Sequence, residues 1–154
     1  GGETGRVLTT IPCAAPARAH PTASEIAGLE SLVAGETQRF RGRRLQARGS
    51  LGFAAFEGPG RAIRCGRSIA EQASRLGLAI GIGLHTGEWD SLQGGSEGPV
   101  AETAARIAAL ARTGEVLVSR IVVDLVGSSG LEFSDRGRHE LSRGETAEPV
   151  FAVR

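Results

Sequence analysis

The chain has 154 residues, 40% of them hydrophobic and 23% charged, with a formal net charge of +1. That length suits one domain with a real core, and the composition is that of a globular protein. The near-neutral balance excludes a broad basic field for steering nucleic acid or an anionic membrane, and no apolar run reaches the roughly 18 residues of a membrane-spanning helix.

Gly1–Gly5 reads as a flexible lead and Arg6–Ile11 as a strand, from its apolar and β-branched residues. Pro12–Pro21 contains three prolines and reads as a loop. Thr22 and Glu25 form a capping-box pattern. The helix behind them turns Ile26, Leu29, Leu32, Val33 and Phe40 inward and stops at Gly42. Arg44–Arg48 and Phe53–Phe56 flank Gly49, Ser50, Leu51 and Gly52 as a β-hairpin. Pro59 opens a second helix, with Ala62, Cys65, Ile69, Ala73 and Leu76 as its buried stripe and Gly77 at its end. Leu78–Thr86 is a strand whose glycines predict the close approach of another backbone. Trp89–Leu92 reads as a separate short strand, followed by a flexible glycine-rich connection.

Pro99 begins a third helix. Val100, Ala104, Ile107 and Ala111 recur at three- and four-residue steps, with Leu110 beside them. Gly114 suits a left-handed exit just past its end. Glu102 precedes Arg106 by four residues, the favourable order for a local ion pair. Glu115–Val118 then runs apolar as a core strand, and Ser119–Val126 is a short helix. Leu131–Phe133 and Val150–Val153 close the sheet around a polar loop, Asp135–Glu148. This order predicts an α+β fold, a ferredoxin-like βαββαβ sandwich with extra C-terminal elements.

All 18 basic residues are Arg, and Asp occurs only at positions 90, 124 and 135. The cluster Arg39, Arg41, Arg43 and Arg44 reads as a solvated helix end, with phosphate binding as the alternative. Cys13 and Cys65 are too few for a disulfide framework or a zinc site. His85, Glu88 and Asp90 would need His20 or His139 to converge on them before they could hold a metal. The run Gly94–Gly98 resembles a phosphate-cradling loop, but it lacks a Lys and carries Glu97. No signal peptide is visible, so a cytoplasmic location is expected. The chain begins without Met, and residues 1–154 are expected to be a single domain excised from a longer protein.

The segments Gly60–Cys65 (GRAIRC), Gly83–Gly87 (GLHTG), Ala104–Leu110 (AARIAAL), Gly114–Ser119 (GEVLVS) and Phe133–Leu141 (FSDRGRHEL) together resemble the catalytic domain of class III adenylate and guanylate cyclases, in the same order. The resemblance implies the nucleotide cyclase fold, which agrees with the pattern above. It also implies two Mg²⁺ or Mn²⁺ ions held by two aspartates, one lowering the pKa of the attacking 3′-hydroxyl and the other gathering the triphosphate. An Asn and an Arg would hold the transition state, and a Lys with a partner would read the purine.

Against that pattern the chain departs almost everywhere. The first metal aspartate falls at Ile11, and the second, in the hairpin turn, falls at Ser50. The purine-reading Lys falls at Gln46 and its partner near Gly95. The transition-state Asn falls at Glu102, and only Arg106 matches its counterpart. Residues 1–89 contain no Asp, so no shift of register restores a metal ligand of that kind. No cofactor is therefore expected. The leading expectation is a degenerate cyclase domain that acts by homodimerising or heterodimerising. The second is an active cyclase with unusual ligands, or half of a heterodimer to which Arg106 is contributed. The third is a sensor of a nucleotide or other small molecule, its old cleft re-lined by Ile11, Pro12, Leu51 and Phe53. No nucleic-acid partner is expected.

Overall fold

The order of elements follows the hydrophobic pattern, with its main differences in the strands. The computed structural model describes residues 6–90 and 95–154. Strand β1 (Arg6–Pro16) leads to helix α1 (Ala23–Arg39), then β2 (Arg43–Arg44), β3 (Gly52–Ala55), α2 (Pro59–Arg75) and β4 (Ile80–Asp90). Helix α3 (Pro99–Leu110), β5 (Val116–Ser119), α4 (Arg120–Leu125), β6 (Phe133–His139) and β7 (Glu148–Val153) complete the chain. The strands form one sheet in the order β2-β3-β1-β4-β5-β7-β6. The first four have the ferredoxin-like arrangement; β5, β7 and β6 are the C-terminal extension.

The helix signals hold. Thr22 accepts from the Glu25 amide, and the Glu25 carboxylate accepts from the Thr22 amide, closing the capping box. Pro59 and Pro99 sit in the first turns of α2 and α3. Leu76 departs from its expected place: it caps α2 with 65% of its surface exposed, because the chain turns away at Gly77. α3 stops at Leu110 rather than running to Gly114. Gly114 instead shapes the turn into β5, where its amide donates to the Ile80 carbonyl at 2.8 Å.

β1 does not stop at Ile11. It runs through Pro12 to Pro16 because β4 lies antiparallel to it along its whole length, from Arg6 opposite Asp90 to Pro16 opposite Ile80. Thr10 exchanges both backbone bonds with Phe56, so by the two-residue repeat the Pro12 nitrogen also faces β3. The ladder to β3 is accordingly broken there and resumes at Cys13 opposite Phe53. Partnership with β1 likewise makes Trp89 and Asp90 part of the single long strand β4; Leu92 lies outside the described residues. The hairpin strand expected over Arg44–Arg48 shrinks to Arg43–Arg44, with an isolated bridge between Arg48 and Leu51. The polar segment after Phe133 pairs with β7 as far as His139, with a bulge between Asp135 and Arg138.

α1, α2 and α4 cover one face of the sheet, where Ala54, Ile82, Leu84, Val116 and Val118 are buried with Ile63, Ile69 and Val122. α3 covers the other face, over Ile11, Cys13, Phe53 and Trp89. Ile107, Leu117, Leu141 and Val150 extend that second core beneath the C-terminal strands.

Candidate functional site

Glycines seat α3 against β4. A Cβ at Gly83 would lie 2.6 Å from the Ala104 carbonyl oxygen and closer still to the Ala108 amide nitrogen, and one at Gly81 would lie 2.7 Å from Ala111 Cβ. The helix therefore rests on bare backbone, as the glycine spacing predicts. Val100, Ala101, Ala104, Ile107 and Ala108 are buried against the sheet. Glu102 and Arg106 face outward on the opposite side.

That outer side borders a cleft of about 550 Å³, in the size range of small-molecule sites. Arg48 from the β2–β3 turn, Glu102, Thr103 and Arg106 from α3, and Ser142 and Arg143 from the segment after β6 line it. Buried Leu141 anchors that last segment in the core. Three permanent cations thus meet one carboxylate. Among the described residues, neither Arg106 nor Arg143 has an ion-pair or hydrogen-bond partner. The expected pair between Glu102 and Arg106 is not formed; both are exposed, and such a pair contributes only about 0.2–0.5 kcal/mol. Arg48 donates to the Ser96 carbonyl at 2.9 Å. The Trp89 indole donates to the neighbouring Gly95 carbonyl at 3.3 Å, while the Arg43 guanidinium lies 5.3 Å from its ring centre.

The remaining candidate positions scatter. Ile11 is fully buried, opposite His85. Ser50 lies in the hairpin turn, and the β1 residue paired nearest that turn is Ala14, opposite Gly52. Ile11 and Ser50 are therefore not brought together: three residues of strand, about 10 Å, separate Ile11 from Ala14. Gln46 is exposed on the hairpin, away from the lining of the cleft. Gly95 sits beside Trp89, held through its carbonyl. Ile11 and Phe53 are core under α3, with Leu51 packed against the same cluster, and Pro12 is buried on the opposite face of β1 by strand alternation, so the four do not form the apolar pocket wall expected of a re-lined cleft.

The donor set does not fit a pair of divalent ions. Around the β2–β3 turn, β1 offers Ala14, Ala15 and Pro16, and the turn itself offers a neutral serine hydroxyl. Among the described residues no three His, Cys, Asp or Glu side chains converge as a metal site. His85 and Glu88 fall on opposite faces of β4 by strand alternation. The His85 Nδ1 lies 2.8 Å from Ser119 Oγ, and His139 Nε2 donates to the Arg136 carbonyl at 2.9 Å. Burial pushes the His85 imidazole down to about 4, so it is neutral near pH 7.

Sequence reasoning found Glu102 and Arg106 but missed Arg48 and Arg143 as their neighbours. Arg48 precedes Ser50 by two residues in the same turn, and that proximity was the available signal.

No protein-family model and no curated protein matches the chain. Its fold matches solved nucleotidyl cyclases. An adenylate/guanylate cyclase/hydrolase from Silicibacter pomeroyi superposes with a TM-score of 0.81 at 20% identity, over 96% of each chain. The non-canonical dimeric guanylyl cyclase domain of the RhoGC fusion protein from Blastocladiella emersonii gives 0.74 at 13% identity, over 96% of this chain and 97% of that one. The guanylate cyclase domain of RhGC from Catenaria anguillulae, in complex with GTP, gives 0.75 at 13% identity, over 96% of each chain. The chain has the adenylate/guanylate cyclase catalytic fold. No helix among the described residues is long and apolar enough to cross a membrane.

Proposed function

We propose that this chain is a degenerate, cytoplasmic class III nucleotidyl cyclase domain that acts by dimerising or by sensing a ligand rather than by cyclising a nucleotide. The observation that carries this reading is the donor set of the β1–β3 corner. Ile11 and Ser50, the positions that the resemblance gives to the two metal-binding aspartates, carry no carboxylate, and neither do Ala14, Ala15 and Pro16 of β1. Loss of one electrostatic stabiliser typically lowers a rate by about 10²–10³, and here the metal ligands, the purine readers and the transition-state amide all differ. An intact cyclase fold beside an emptied centre suits a module that reports partner state or ligand occupancy. The dimeric form of the Blastocladiella domain supports association as the mode of action.

The reading is tested by incubating the chain with ATP or GTP and Mn²⁺ and searching for cyclic nucleotide by mass spectrometry. None is expected. Size-exclusion chromatography with light scattering is expected to give a dimer, and a strict monomer at high concentration counts against association. A second reading, an active half-site, is favoured by the retained Arg106. Cyclic product that disappears in Arg106→Ala would establish it instead.

A further inference from the structure

At the hairpin turn, the cyclase pattern places an acid that recruits a metal, and the metal then meets the anionic substrate. Here the same turn carries a cation directly: Arg48, two residues from Ser50, reaches the cleft where Arg106 and Arg143 stand without carboxylate partners. We propose that this cleft binds a small oxyanion, a phosphate or carboxylate group, without any divalent metal, and that Arg48 is the residue that makes it metal-independent. The inference rests on the degenerate-domain reading.

Arginine suits the role. Its guanidinium stays charged, and its fork of N–H donors matches both oxyanions bidentately. One Nη of Arg48 is spent on the Ser96 carbonyl, which fixes the side chain and leaves its other donors to face a ligand. Glu102 works in the opposite sense. Its carboxylate lies on the same wall, so it opposes dense negative charge and favours a ligand that presents a hydroxyl or amine beside its acid group. Two magnesium ions would bring four positive charges to a triphosphate. Three arginines against one glutamate suit a smaller charge.

The test is isothermal titration of the chain with inorganic phosphate and, separately, with malonate, both in EDTA; the two arms distinguish phosphate from carboxylate recognition. Saturable binding of at least one is expected, unchanged by added Mg²⁺. Arg48→Gln is expected to weaken it at least tenfold, and Arg48→Lys, which keeps the charge but loses the fork, by an intermediate factor. Glu102→Gln, an exposed change that leaves the fold intact, is expected to tighten it about threefold or more. Binding of neither anion in EDTA, binding that requires Mg²⁺, or binding indifferent to both Arg48→Gln and Glu102→Gln would overturn the proposal. Cyclic-nucleotide synthesis would instead overturn the degenerate-domain reading. A chain that makes no cyclic nucleotide and binds neither anion refutes the metal-free site alone.

Discussion

Arg136 grips Glu115 with two parallel hydrogen bonds, 2.6 Å from Nε to Oε2 and 2.9 Å from Nη2 to Oε1. The same guanidinium donates to the Leu110 carbonyl at 3.3 Å, so β6 is fastened to the end of α3 and to the start of β5. Both side chains are about three-quarters buried or more, with 26% and 19% of their surface exposed. Arg136→Ala is expected to cost about 1–2 kcal/mol in urea denaturation, since charged, partly screened hydrogen bonds fall in that range. The bidentate Arg136 contact holds the Glu115 carboxyl below its ordinary 4.5. Its contribution is therefore complete above about pH 4.5 and is lost as pH falls through the lowered folded value. The gap between wild type and Arg136→Ala should close in acid.

Gly83→Ala should be the most damaging single methyl in the protein. The added carbon has only rigid backbone to push against, at Ala104 and Ala108. Overpacking of this kind costs about 3 kcal/mol. Because α3 carries Glu102 and Arg106, thermal denaturation should show the loss of stability and anion titration a weakened cleft.

Neutral His85 links stability to pH. Unfolded, the imidazole takes up a proton near its ordinary 6.5; folded, burial delays this to about 4. The unfolded state therefore binds more protons between those values, and the melting temperature should fall as pH drops from about 6.5 towards 4. His85→Gln is expected to flatten that decline while losing some stability at pH 7 through the altered contact with Ser119 Oγ. Scanning calorimetry across the window measures both.

The two thiols should be inert. Burial pushes Cys65 up to about 12 and Cys13 higher still, although Arg48 pulls Cys13 slightly back. Native protein at about pH 8, close to the ordinary thiol pKa of about 8.5, should not react with Ellman's reagent. Both cysteines should become reactive together on unfolding in guanidinium.

The helices were legible because their signals are local: Thr22 with Glu25, Pro59 and Pro99 inside first turns, Gly77 past an end. The glycines at 81 and 83 signal the close approach of another backbone, and the fold supplies it as α3 and Ala111. From sequence β1 ends at Ile11, because Pro12 and Pro16 look like strand breakers. Their tolerance depends on a distant strand, β4, which no local window contains. From sequence β6 ends at Phe133, because Asp135–His139 is polar, as an exposed edge strand is free to be. Leu76 continues the α2 stripe in spacing but stands where the chain has already turned. In the cleft, Glu102 and Arg106 share one helix and were found together. Arg48 and Arg143 reach it from a hairpin and from the segment after β6, and only tertiary folding makes them neighbours.

The long ladder between β1 and β4 has a consequence for synthesis. Arg6 and Asp90 are partners, yet two helices and a hairpin separate them along the chain. As the polypeptide leaves the ribosome, β1 stays without its principal mate until β4 has emerged, and Ile11 and Cys13 meanwhile lie uncovered. Contacts this distant form slowly, in about milliseconds to seconds, so the nascent amino-terminal half is the part most in need of chaperone protection.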